Sequence, residues 1–222
     1  MAREPKPGPE SHEAEPKGVA RRGVARERVL ESALDLFSRH GFDGVSTAEV
    51  ALAAGVSQSV VLYHFETKEN LWREAMRLLF SRVDARTFDQ DLYKDLDVVS
   101  RIRVALRRFV QTSARHPELG RVIVREGTAG GDRLQWLTEN LLLPNYGVFE
   151  RLFAEGARAG VLKRYPPGLV TLMVHSSAAM VFNLGPLAEQ VLGRSPFHDE
   201  IVRQQADLVV DVLLNGLLET SR

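Results

Sequence analysis

A chain of 222 residues, 44% apolar, with 29 basic side chains against 29 acidic ones, can bury a proper core and carries no net charge. Neutrality excludes affinity for a polyanion through bulk charge, so any nucleic-acid partner must be met by locally placed cations. The absence of cysteine excludes disulfides and thiolate metal sites, which suits a reducing cytoplasm.

Residues 1–22 are rich in Pro, Glu, Lys and Gly and poor in apolar side chains, and are expected to form a disordered arm. No apolar stretch follows the start, so this segment does not read as a signal peptide. Lys17, Arg21, Arg22, Arg26 and Arg28 stand against Glu27 alone. That run is either a solvated tail or an arm whose arginines find phosphates or a minor groove. The next segment, 28–41, is amphipathic: Leu30, Ala33, Leu34 and Phe37 share one face and Gly41 stops the helix.

Residues 46–65, STAEVALAAGVSQSVVLYHF, then predict two short helices around a glycine turn. Ser46 and Glu49 have the spacing of a capping box. Val50, Ala51 and Ala54 form a stripe of small apolar residues that lets two helices cross closely. Gly55 can turn left-handed, Val56 plugs the corner, and Ser57 is expected to cap a second helix running to about Tyr63. A helix, a short turn with glycine and a second helix is the helix-turn-helix pattern, although an ordinary helical hairpin shares it. Thr67 is the expected cap of the helix that follows.

Beyond it the periodicity predicts helices near 67–86, 97–116, 118–126, 131–159, 166–190 and 197–219, with a bend at Pro144 and no competing strand pattern. No stretch reads as a membrane span, since the most apolar run, 169–184, is short and contains polar residues. The helix at 166–190 and the one near the C-terminus are apolar on nearly every side, and such helices must be covered on every side. Val170, Met173, Val174, Ser177 and Met180 of the first, with Val210, Leu213, Leu214 and Leu217 of the second, are the expected seam with a second subunit. A central core helix is the alternative.

The segment 26–72 resembles the DNA-binding domain of the tetracycline-repressor (TetR) family of bacterial transcription regulators. The matching elements are Ala33-Leu34-Asp35-Leu36-Phe37, Gly41-Phe42, Ser46-Thr47, Ala54-Gly55-Val56-Ser57, His64-Phe65 and Lys68-Glu69 with Leu71, in the family's order and spacing. One departure stands out: Leu62 occupies the place of the family's phosphate-binding tyrosine, and Tyr63 follows one residue later, rotated by ~100° about the helix. The resemblance implies an all-α fold: a three-helix helix-turn-helix domain over 23–70, then a larger helical effector-binding and dimerisation domain over 71–222. It also implies a homodimer joined through the last two long helices, and a ligand-responsive regulator, a repressor by this reading, with double-stranded operator DNA and a small-molecule effector as partners and no cofactor.

Gln58, Ser59 and Tyr63 are the expected base contacts, with Val60 able to touch a thymine methyl. Thr47, His64 and Lys68 are placed for phosphates, assisted by the helix N-terminal amides at Ser57. His64 reads equally as a packed residue beside Phe65, and Lys68 as a solvated charge. An effector pocket would draw its apolar lining from Phe109, Trp136, Leu141, Tyr146, Phe149, Phe153, Met173 and Phe182. Arg125, Glu126, Asn140, His175 and Asn183 would supply its polar groups. Two other classes compete: a helical adaptor that does not bind DNA, which the displaced tyrosine favours, and a helical-bundle enzyme. Against the enzyme, no Glu-x-x-His, His-Glu-x-x-His or phosphate-loop pattern occurs, and no metal site is expected.

Overall fold

The computed structural model describes residues 17–83 and 93–218, except for the side chains of 17–22 and 144–146. The first helix, α1 (Lys17–His40), already begins inside the segment expected to be disordered. It ends where Gly41 turns left-handed (φ 75°), and its amide caps the Phe37 carbonyl at 2.9 Å. Val29, Ala33 and Phe37, four residues apart, are buried on one face of α1. Against that face pack α2 (Thr47–Ala54), α3 (Gln58–Phe65) and α4 (Lys68–Ser81).

The local chemistry fixes these short helices. Ser46 and Glu49 close a reciprocal capping box, the Ser46 amide donating to Glu49 Oε2 at 2.7 Å and the Glu49 amide to Ser46 Oγ at 3.1 Å. Hydrogen bonding from the Ser46 amide, and then from the Ser46 side chain, holds the Glu49 carboxyl below the usual carboxylate range. Val50, Ala51 and Ala54 are buried at the α2–α3 crossing, and Gly55 adopts the left-handed conformation (φ 63°) that ends α2. The Arg28 guanidinium donates to the Ala54 carbonyl, satisfying an acceptor that the helix end leaves open. Thr67 caps α4 by accepting the Asn70 amide at 3.0 Å. Ser57 does not cap α3 with its side chain; its hydroxyl pairs with that of Ser59 at 2.8 Å instead.

The remaining helices are α5 (Val98–Arg115), α6 (Pro117–Ala129), α7 (Gly131–Leu137), α8 (Leu143–Arg158), α9 (Pro167–Asn183), α10 (Gly185–Leu192), α11 (Asp199–Val209) and α12 (Asn215–Leu217). A π-turn, Thr138–Leu142, joins α7 to α8 just before Pro144, so the missing proline donor falls where the ladder is already re-registered. A second π-turn, Val210–Leu214, joins α11 to α12. The single helix expected over 166–190 is two helices, bent by 79° between α9 and α10. Pro186, in the first turn of α10, has no amide to continue the ladder and would clash with the preceding turn. Apart from one isolated bridge between Leu162 and Leu218, the described residues contain no strand, and the fold is all-α. No single described helix is long and apolar enough to cross a membrane; α9 and α10 have that length only as the bent pair.

Two apolar cores result. The front one joins α1–α4 but also takes in Val122 of α6, Leu137 of α7 and Leu142 of the π-turn. The rear one packs α5, α8, α9 and α11 around Ile102, Leu106, Phe149, Val174 and Phe182. Phe153 lies in that rear core, and Leu141 packs against the front one.

Candidate nucleic-acid interface

The α3 helix is held by its buried side, Val61 and Phe65, so its other side is presented outward. Gln58, Ser59, Leu62 and Tyr63 are exposed there, Tyr63 by 71%, and Val60 is half-buried. Gln58 Nε2 donates to Thr47 Oγ1 at 2.9 Å, which ties the start of α3 to the start of α2. The His64 ring packs edge-on to Tyr63, with centroids 5.2 Å apart, and is half-buried beside Phe65. Lys68 sets its ammonium over the Phe42 ring, 4.3 Å from the centroid. Two arginines of the basic run are engaged with the protein itself: Arg28 at Ala54, and Arg26 with Glu74 at 2.9 Å. The side chains of Lys17, Arg21 and Arg22 lie outside those described.

Replacing Gln58 with Ala is expected to relax specificity at one operator position by ~1–3 kcal/mol. A base-substituted duplex series read out by competition measures this, and an unchanged ranking removes Gln58 from base readout. Replacing Lys68 with Ala is expected to lower the slope of log affinity against log salt by about one. An identical slope leaves Lys68 as the packing partner of Phe42 alone.

Behind the front core lies a cavity of about 220 Å³ between α5, α6 and α9. Phe80, Phe109, Leu119, Ile123, Leu142 and Met180 form most of its apolar wall. Thr112, Ser113, His116, His175, Ser176 and Asn183 contribute its polar groups. His175 stacks edge-on against Phe109, centroids 4.5 Å apart, and against Phe149 at 5.8 Å. Burial pushes its pKa down to about 4, so the ring is neutral near pH 7.

Of the pocket residues expected from sequence, Phe109, His175 and Asn183 meet here, with Phe149 one layer behind. Arg125, Trp136 and Asn140 lie elsewhere. Trp136 packs edge-on against Trp72 of α4 and beneath Arg73 and Arg77, and Asn140 donates to the Trp136 carbonyl at 2.8 Å. Arg125 reaches under Gly41 and donates to the Arg39 carbonyl at 3.0 Å. Glu126 is buried and pairs with Arg133 at 3.1 Å. Met173 faces outward on α9, and the Tyr146 side chain lies outside those described. Sequence reasoning missed Leu119, Ile123 and Gly120; the moderate amphipathicity of α6 marked a buried face without saying what it would enclose. Among the described residues, no cluster of three or more His, Asp or Glu could hold a metal ion.

The expected seam divides in two. Val170, Val174, Val210, Leu213, Leu214 and Leu217 are buried in the chain's own rear core. Met173, Ser177 and Met180 are exposed, as are Leu169 of α9 and Leu208 of α11, and Leu169 and Met173 share a groove with Val212 of the following π-turn.

A short helix held outward on a three-helix scaffold, preceded by a capped helix and a left-handed glycine turn, defines a helix-turn-helix DNA-binding protein. Residues 29–75 match the family model described as "Bacterial regulatory proteins, tetR family". Residues 29–75 thus carry the DNA-binding domain of the TetR family of transcriptional regulators. It is 24% identical over 194 residues to the HTH-type transcriptional regulator RutR of Escherichia coli (strain K12), spanning 86% of this chain and 90% of that one. Its fold matches HlyIIR, a hemolysin II transcriptional regulator, with a TM-score of 0.68 at 20% identity over 90% of this chain and 99% of that one. It also matches AibR, solved with isovaleryl coenzyme A and operator DNA, with a TM-score of 0.66 at 18% identity over 86% and 98% of the two chains.

Proposed function

We propose that this protein is a homodimeric, effector-responsive repressor that works in the cytoplasm and binds a palindromic operator through α3. The observation that carries this reading is the pairing of two surfaces on one chain. One is the outward polar face of α3; the other is an uncovered apolar stripe running along α9 and α11. A two-fold pairing through that stripe would present two α3 helices to successive major grooves, ~34–36 Å apart, and so demand a two-fold operator. The division of labour follows the helices, with residues 23–70 binding DNA and 71–222 sensing and dimerising.

The α6 helix is suited to carry the signal. Leu119, Gly120 and Ile123 line the cavity, while Val122 sits in the front core and Arg125 grips the end of α1. A ligand in the cavity therefore touches a helix that also contacts the DNA-binding unit. An effector that fits the DNA-incompetent arrangement better by ~1–3 kcal/mol would weaken operator binding about 5- to 150-fold.

The test is fluorescence anisotropy of the purified protein against the DNA flanking its own gene and a scrambled duplex, at two salt concentrations. Selective binding of two or more protomers per site is expected. Equal, salt-sensitive binding to both duplexes, repeated across genomic fragments, would instead favour the adaptor reading, to which Leu62 in the family tyrosine's place already points.

A further inference from the structure

The walls of the cavity carry information about what fills it, given the reading above that the cavity is the effector site. No Lys, Arg, Asp or Glu occurs among its described lining residues. His116 directs Nδ1 to Glu118 at 3.3 Å, so a charge on that ring is answered within the protein. A ligand bearing a carboxylate, phosphate or ammonium would thus be stripped of water with no described counter-charge to receive it.

Asn183 presents an unanswered polar atom to the wall. Asn183 Oδ1 is buried without a hydrogen-bond partner. It lies against Gly120, where any Cβ would collide with the Asn183 amide, so the absence of a side chain on α6 is what leaves room for it. A buried acceptor left open is costly, and a ligand that supplies a donor recovers that cost. Size narrows the class further. A cavity of ~150 Å³ holds benzene, so about 220 Å³ corresponds by simple proportion to ~9 heavy atoms.

We propose that the cavity takes an uncharged aromatic molecule of bicyclic or substituted monocyclic size, with one hydrogen-bond donor directed to Asn183 Oδ1. The ring lies among Phe109, Leu119, Ile123 and Met180. The neutral edge of His175, lowered to a pKa of about 4 by burial, adds polarity without charge.

Four probes of nearly equal size separate the features: indole (neutral, one donor), benzofuran (neutral, no donor), benzoate and benzamidinium. Binding to the full-length protein is measured by calorimetry, without DNA. Indole is expected to bind, benzofuran ~3- to 10-fold more weakly, and the two ions not detectably. Asn183→Leu should bring indole down to the affinity of benzofuran and leave benzofuran unchanged. Ala179→Phe, which fills the cavity from α9, should abolish both. Equal binding of indole and benzofuran, tighter binding of either ion, or no binding of any probe at ~1 mM overturns the proposal. Operator binding is then measured separately with indole present. Probe binding without operator release would sink the effector reading while leaving the ligand class intact; operator release by ions alone would do the reverse.

Discussion

Replacing Leu208 and Val212 together with Asp is expected to yield a folded monomer that loses selective operator binding. Both side chains are more than half exposed, at 57% and 59%, and neither supports the rear core. The charges therefore cost the isolated chain little, since exposed substitutions usually stay within about 0.5 kcal/mol. In a dimer sealed through this stripe, each would be buried against apolar surface without a partner, a cost of several kcal/mol per charge. Two linked half-sites gain ~10²–10⁴ over one, so the monomer should lose affinity on that scale. Sedimentation should show half the native mass with unchanged helical circular dichroism. A double variant that still sediments as a dimer places the interface elsewhere, the exposed Leu187 and Val191 of α10 being the next surface to test. Asp at Val210 or Leu214, which the sequence alone marks as splitting or unfolding the dimer, does not isolate the contact between subunits, because both side chains are buried in their own chain. Leu214 is 1% exposed inside its own chain, so Leu214→Asp should unfold the monomer.

Acid should weaken the fold through His175. Its folded pKa of about 4 lies below the ordinary value of 6.5, so the unfolded chain binds the proton more readily. Stability from this group is complete above about pH 6.5, falls as the pH drops through the interval, and is fully lost below about pH 4. Each pH unit within the interval costs ~1.4 kcal/mol, which amounts to about 2–3 kcal/mol by pH 4.5. His175→Leu keeps an apolar wall beside Phe109 and Phe149 and removes the titration. Urea unfolding of both proteins at pH 7.5 and 4.5 measures the difference. His116, on the same cavity wall, is common to both and cancels. The leucine variant should lose about 2–3 kcal/mol less between the two pH values. The same loss in both proteins would mean that His175 is not held neutral.

The helix-turn-helix was legible because its determinants are local. Ser46 and Glu49, Gly55, and the small residues Val50, Ala51 and Ala54 each constrain a few neighbouring torsions or one close crossing, and the structure has all of them in those roles. The bend at Leu184 was also written locally, as the dipeptide Gly185-Pro186, but the apolar run around it masked the break. Partners across the fold were less legible. An aromatic at helical spacing announces burial without saying against what: Phe109 reached the cavity, whereas Trp136 closed over Trp72. The fully apolar α9 posed the same ambiguity. Val170 and Val174 went inward, while Leu169 remains 65% exposed, and hydrophobicity alone does not rank those two fates.

The front core has a bearing on how this molecule comes apart. Leu137 and Val122, well beyond the helix-turn-helix in sequence, are packed among the side chains of α1 and α4, and Trp136 covers Trp72. An excised fragment ending at residue 70 would lack all but the first turn of α4 and these long-range lids, and would leave α1 with a wet flank. Slow amide hydrogen exchange in α1 and α6 should accordingly be lost together, as one cooperative opening rather than two. The grip that lets the rear of the chain inform the front would then also set a shared lifetime for both.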